Sequence, residues 1–275
     1  MSNDSMIAID VITLFPEMFA ALTEQGVVRR AFESGIVDFK LINPREFATN
    51  AYKTVDDRPY GGGPGMVMMA PPLAQAIRTA RERHTALGFE PYVVFMSPQG
   101  EKLTQTWVQQ QLRLIHAADD ALAHNVRSRS LVILCGRYEA IDERLFDLGL
   151  IDAELSAGDV VLSGGELAAM VMLDALLRCI PGVLNDGLSA VQDSFSEGLD
   201  GLLDCPHYTR PEVFENFAVP SVLLSGDHAK ITLFRRQQAL RQTWRKRSDL
   251  IEQARQRGLL DEKDEKFLAQ LSSLL

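Results

Sequence analysis

Three stretches place glycine where an apolar run ends: SPQG (Ser97 to Gly100), CGRYE (Cys135 to Glu139) and SGGE (Ser163 to Glu166). Glycine permits positive φ and lets a backbone approach a ligand closely. In an open α/β sheet, ligands bind beyond the carboxyl ends of strands, so three such turns could line one crevice. None of them carries a lysine. The chain has no G-x-x-x-x-G-K-[ST] phosphate loop, and no G-x-G-x-x-G fingerprint follows a strand. A ligand held mostly by backbone and lacking a triphosphate fits better, such as an adenosine with a small polar tail. Glycine at a strand end is also ordinary turn chemistry, and both readings stand.

A second chemical feature lies near the other end. FRRQQALRQTWRKR (Phe234 to Arg247) holds Arg235, Arg236, Arg241, Arg245, Lys246 and Arg247 and no acid, in a chain whose net charge is −9. At helical spacing Arg241 and Arg245 share a face, with Arg235 close to it. A phosphate backbone is the natural partner of such a stripe. The bland alternative is a solvated helix face paired with acidic neighbours.

The elements that must position these groups read as follows. IAIDVITLF (Ile7 to Phe15) and IVDFKLIN (Ile36 to Asn43) read as strands around the helix EMFAALTEQG and a second helix ending near Ser34. Pro44 to Gly65 is irregular and closes on DDRPYGGGPGM, a length often tied to function. PPLAQAIRTARERH is a helix, PYVVFMSPQG a strand, LTQTWVQQQLRLIH a helix, and DDALAHNVRSRS a polar surface insertion. SLVILCGRYE and DVVLSGGE read as two more strands, followed by the helix GELAAMVMLDALLRCI. Alternating strands and helices predict an α/β fold with a mainly parallel sheet over roughly 6–180. Asn185 to Pro211 is rich in Gly, Asp and Ser and reads as a linker. From Gly226 the pattern is helical to the end.

At 275 residues, 46% hydrophobic and 24% charged, the chain reads as a globular protein of one large or two smaller domains. No apolar run suits a membrane span, and MSNDSMIAID lacks a signal-peptide pattern, so a cytoplasmic location is expected. Cys135, Cys179 and Cys205 form no C-x-x-C pair, which suggests neither a zinc site nor a disulfide framework. The net charge argues against coating by nucleic acid but leaves room for a local basic surface.

ITLFPEMF, NPREF, KTVDDRPYGGGPGM, SPQG, CGRYEAIDER, AGDVVLSGGELAAM, IPGVL, DSFSEGL, LLDCPHYTRP and VPSVLLSGDH occur in this order from about Met6 to Arg247. Together they resemble the bacterial tRNA (guanine-N1)-methyltransferase family (TrmD) of the SPOUT superfamily. That resemblance implies a SPOUT-type α/β domain with a deep trefoil knot, over 6–184. It implies a flexible linker or lid over 185–211 and a small, mostly helical tRNA-binding domain over 212–275. It further implies S-adenosylmethionine as cofactor, an obligate homodimer with sites across the interface, and methylation of the guanosine just 3′ of the anticodon, at position 37.

Residue by residue, the resemblance assigns the cofactor to Pro98, Gly100, Gly136, Tyr138, Glu139, Ala157, Gly158, Asp159, Val160, Val161, Leu162, Gly164 and Gly165. It assigns the general base to Asp193 and the cation at guanine O6 to Arg178. The chemistry asks for that pair: N1 carries a proton that must leave, and negative charge moves onto O6. Alone, Asp193 would read as a helix cap and Arg178 as a helix C-terminal cation. Asp56, Arg58 and Tyr60 are expected to grip tRNA or the target base, with Arg235, Arg236, Arg241 and Arg245 on its phosphates. His207 is expected to be a packed linker histidine, and Met66, Met68 and Met69 to pack beside the site. Whether magnesium assists at O6 is left open.

The chain departs from the family pattern at Ala140, Ala157, Val160 and Ala168, and carries about two extra residues before Leu202. The competing readings are a knotted methyltransferase of ribosomal RNA and a non-catalytic RNA-binding regulator. The LLDCPHYTRP linker with its helical tail opposes the first, and the presence of both Asp193 and Arg178 opposes the second.

Overall fold

The computed structural model describes residues 6–117, 127–184 and 193–273. Most of the polar insertion and residues 185–192 of the expected linker lie outside them. The chain divides into two compact units, Met1–Asn185 and Asp186–Leu275.

In chain order the strands of the first unit are β1 (Ile7–Ile12), β2 (Val37–Ile42), β3 (Asp56–Asp57), β4 (Val67–Met68), β5 (Glu90–Lys102), β6 (Arg129–Cys135), β7 (Ala140–Ile141) and β8 (Ala153–Ser156). Its helices are α1 (Ala20–Thr23), α2 (Arg29–Glu33), α3 (Ala70–Ala86), α4 (Gln105–Ile115), α5 (Arg144–Asp147) and α6 (Glu166–Leu177). Five strands form one parallel sheet in the order β2-β1-β6-β5-β8. All six residues of β1 are buried. That is the pattern of a parallel strand covered on both faces, and it explains the near-continuous apolar runs. One core cluster joins Ile9, Val11, Ile133 and Leu155 to α4 and α6; the other joins Ile12, Val132 and Leu134 to α3 and α5. Asp10 is the charged exception within β1, and Arg83 Nη1 on α3 meets its Oδ1 at 2.6 Å.

Three readings change. The helix expected from Glu17 to Gly26 is a 3-10 turn, Pro16–Phe19, followed by the short α1. SPQG does not end its strand: β5 continues through it, and Leu155 of β8 is paired with both Met96 and Glu101. The intervening residues bulge, and a Cβ on Gly100 would lie 2.4 Å from the Glu154 carbonyl carbon, so backbone proximity demands that glycine. The third correction concerns DVVLSGGE. The strand lies upstream, at Ala153–Ser156, and Asp159 to Ser163 run as an irregular segment with Val161 87% exposed. A short apolar run reads alike whether a sheet buries it or a cleft mouth displays it.

The second unit contains a two-strand ribbon, Val213–Phe214 with Phe217–Ala218. Its helices are α7 (Ser221–Leu224), α8 (His228–Lys246), α9 (Ser248–Gln256) and α10 (Glu262–Ser272). Asp227 caps α8, and Asp261 and Asp264 form a capping box on α10. Leu202, Leu240, Ile251 and Leu268 make its core. Residues 193–204, expected within the lid, are folded into this unit: Leu202 is fully buried, Asp204 N–H donates to Ser194 Oγ, and Leu203 N–H to Thr243 Oγ1.

Candidate functional site

A cleft of about 170 Å³ opens at the carboxyl ends of β5, β6 and β8. Ten of the thirteen residues assigned to the cofactor line it: Pro98, Gly136, Tyr138, Glu139, Ala157, Val160, Val161, Leu162, Gly164 and Gly165. Gly100, Gly158 and Asp159 are not among its walls. Gly100 lies against β8, as above, and Asp159 pairs with Lys102 Nζ at 2.6 Å on the surface. Gly158 has φ of 146°, and its carbonyl accepts from Ser156 Oγ. All four departures from the family pattern, Ala140, Ala157, Val160 and Ala168, face this cleft.

The glycines hold the cleft together by contact. Gly165 N–H donates to Gly136 O at 2.9 Å, and Arg137 and Gly164 form an isolated bridge. A Cβ on Gly165 would meet Cys135 Cα at 2.9 Å, and one on Gly164 would strike the Arg137 side chain. These turns therefore carry glycine because two chain segments cross there.

Beneath that crossing lies a charge cluster that the sequence reading missed. Glu166 is fully buried at the first turn of α6, where the helix dipole favours an anion. Thr13 Oγ1 donates to its Oε1 at 2.9 Å, and Arg137 Nε stands 2.9 Å from its Oε2. The latter contact is off-axis, so it is an ion pair and not a hydrogen bond. Arg137 also donates to Ser163 O at 3.1 Å and lies 4.3 Å over the Phe15 ring. Burial, then the Glu166 charge, push the neighbouring Cys135 thiol well above its ordinary range, so it stays protonated. Arg137 and Glu166 both sit inside quoted motifs, but nothing in their spacing announces that they pair.

Tyr138 leaves β6 with φ of 61°, a left-handed conformation unusual for a bulky residue and frequent at functional sites. Burial, then a hydrogen bond with Asp56, raise its phenol pKa above the usual value. Asp56 thus lies beside a cleft residue. Arg58 and Tyr60 line a neighbouring groove with Arg144, and Tyr60 is fully exposed. Met68 is buried, with Sδ 3.2 Å from Arg137 N.

Arg178 forms the C-cap of α6. Twelve helical residues separate it from Gly165, so the two stand thirteen steps of ~1.5 Å apart, about 20 Å. Arg178 is therefore not brought to the cleft of its own chain. Asp193 is half-buried in the second unit, where its carbonyl accepts from Ser196 N–H.

The basic stripe lies on α8 and is not uniform. Arg235 and Arg245 are exposed. Arg241 stacks 5.7 Å from the Phe267 ring. Arg236 points inward: its guanidinium grips Asp264 at 2.6 Å and Asp200 at 2.9 Å, which removes it from a phosphate-facing surface. His207, expected to be packed, is instead an exposed side chain bonded to Asp204 at 2.7 Å.

Among the described residues no helix is long and apolar enough to cross a membrane. Comparison with known proteins matches residues 7–253 to the family model described as tRNA (Guanine-1)-methyltransferase TrmD. A Burkholderia multivorans protein named tRNA (guanine-N(1)-)-methyltransferase is 54% identical over 98% of this chain and 96% of its own. Relatives of the same name from Janthinobacterium sp. and Herminiimonas arsenicoxydans are each 52% identical over 95% of this chain, covering 98% and 99% of their own lengths.

Proposed function

The chain belongs to the tRNA (guanine-1)-methyltransferase family, and from that premise we propose that it methylates N1 of the guanine at position 37 of tRNA in the cytoplasm. The observation that carries the reading is the cleft at the ends of β5, β6 and β8, lined by ten of the thirteen residues the family pattern assigns to the methyl donor.

The cleft fits S-adenosylmethionine in chemistry. Its walls are mostly apolar, through Phe95, Leu155, Val160 and Leu162, with Tyr138 and Glu139 as polar groups. Its volume of about 170 Å³ is below the roughly 300–1,000 Å³ of drug-sized sites, so as it stands it would take only part of the cofactor. When bound, the cofactor supplies an electrophilic methyl on a sulfonium. Pro98, Gly136, Ala157, Val160, Val161 and Leu162 would enclose it, and Tyr138 and Glu139 would offer it polar contacts. Asp193 takes the N1 proton, and the Arg178 guanidinium meets the charge on O6, each at the atom where it develops.

The ~18 Å length of α6 supports a homodimer. Arg178 serves the cleft of a second copy. Leu167 and Val171 project from α6 at 50% and 54% exposure, an apolar stripe suited to that copy. The crossing of Gly164 and Gly165 over the β6 turn is consistent with a trefoil knot. Residues 185–211 would act as linker and lid, with the part 193–204 carried on the second unit. Asp56, Arg58 and Tyr60 would contact the tRNA loop, and Arg235, Arg241 and Arg245 its phosphates.

The test is methyl transfer from labelled S-adenosylmethionine to a tRNA transcript with guanosine at position 37, beside one with adenosine there. Label on the first alone, lost in Asp193→Asn with cofactor binding intact, is the expected result. Transfer to neither transcript, despite cofactor binding, would overturn the assignment. Runs with and without magnesium decide whether an ion assists.

A further inference from the structure

Asp204, Cys205 and His207 place a carboxylate oxygen, a sulfur and an imidazole nitrogen all within 4.8 Å of one another. We infer that this turn is a binding site for a borderline-soft divalent cation, zinc above all; none of its three donors lines the cleft at the ends of β5, β6 and β8.

The donor set selects the ion. Thiolate, imidazole and carboxylate together suit tetrahedral zinc, whereas magnesium takes oxygen ligands in an octahedron. With Zn–S near 2.3 Å and Zn–N near 2.0 Å, ligand atoms lie roughly 3.3–3.8 Å apart. The observed spread of up to 4.8 Å thus needs closure of about 1.5 Å at most, which side-chain torsions supply. Asp204 Oδ2 lies 2.7 Å from His207 Nε2, so these two groups already face each other and need to open by only about 0.6 Å to admit the ion.

The backbone fixes the turn. Four consecutive residues carry all three donors, and Pro206 between them has a locked φ. Leu203 and Asp204 are tied to Thr243 and Ser194, and Asp204 Oδ1 accepts from Cys205 N–H at 2.6 Å, leaving Oδ2 for the ion. Cys205 is 8% exposed and the His207 side chain 74%, so sulfur forms the inner wall and imidazole the outer. As the S–Zn bond forms, the thiol proton passes to solvent, and the His207 proton moves from Nε2, where it bonds Asp204, to Nδ1 by exchange with water. Cysteinate and Asp204 then balance the dication, and water fills the fourth position. Neither Cys135 nor Cys179 belongs to such a group among the described residues.

The experiment uses the full chain, stripped with a chelator and kept reduced, titrated with cobalt and then zinc. One cation per chain is expected, with a sulfur-to-cobalt charge-transfer band that zinc removes. Cys205→Ser should abolish the band, and Cys179→Ser should leave it. His207→Ala, at an exposed position that does not disturb the core, should weaken binding at least about tenfold. The inference is overturned if no sulfur-to-cobalt band appears, if the band survives both the Cys205 and His207 substitutions, or if only magnesium binds.

Discussion

The Arg137 guanidinium, stacked on Phe15, stands 2.9 Å from the fully buried Glu166 carboxylate. That pair ties the β6 turn to the start of α6 and, through Thr13, to the end of β1. Removing one partner of a buried pair strands the other charge, at a cost of about 3–5 kcal/mol. Glu166→Ala should therefore lower the denaturant midpoint sharply, while Glu166→Gln, which keeps the Thr13 bond, should lower it less. A Glu166→Ala protein as stable as the parent would remove this pair from the account of the cleft.

Gly165→Ala should damage the cleft more than its size suggests. The new methyl would lie 2.9 Å from Cys135 Cα and 3.1 Å from Gly136 N, both backbone atoms that cannot swing aside. Overpacking of this kind costs about 1–3 kcal/mol. The segment carrying Leu162 and Gly164 must shift, so the affinity for a cofactor analogue should fall by about tenfold or more, read by calorimetry.

The Tyr138 phenol should titrate above its ordinary range, because burial and then the Asp56 hydrogen bond oppose its ionisation. Between the unfolded and folded pKa values the folded chain holds the proton and the unfolded chain has lost it. This contribution to stability is whole below the unfolded value of ~10 and is lost as pH rises through the folded one. Difference absorbance across alkaline pH, with Tyr138→Phe as reference, should show one late-titrating tyrosine that moves down in Asp56→Asn. No movement would mean that Asp56 does not hold the phenol.

Two arginines of the α8 stripe should fail differently. Arg236→Ala leaves Asp264 and Asp200 without their shared cation, so thermal stability falls. Arg245→Ala changes an exposed residue and should stay within about 0.5 kcal/mol of the parent. Its effect belongs to tRNA binding, with the slope of log affinity against log salt reduced by about 0.7–0.9. Equal salt slopes for Arg245→Ala and the parent would remove Arg245 from the phosphate set.

What could be read from sequence was what hydrophobic period controls. The apolar runs of β1, β2 and β6 and the helical face of α4 follow from burial, and all were legible. The run Val160 to Leu162 was misread because it is apolar for a cleft and not for a sheet. Arg236 and Arg245 share one basic stripe, yet only the fold brings Asp200 and Asp264 to the first of them. The Arg137–Glu166 pair was invisible for the same reason: its members lie on different elements, and no local pattern records their meeting. Glycine at Gly164 and Gly165 was legible as a position needing space, but the occupant of that space is first of all another stretch of this chain.

The separation of Arg178 from the cleft yields the most discriminating test. Gly165 at the cleft and the arginine at the far end of α6 are about 20 Å apart in one chain. If Arg178 acts on a second copy, an Arg178→Ala chain retains a good cleft, and a Gly165→Ala chain retains a good arginine. With the methyl donor held well below saturation, each homodimer should be nearly inactive. Mixed and reassembled, half of the dimers are heterodimers with one complete site of two, so activity should return to about a quarter of the parent value. Recovery requires the arginine and the cleft of one working site to come from different chains. If both came from the same chain, each heterodimer site would carry one defect and mixing would restore nothing.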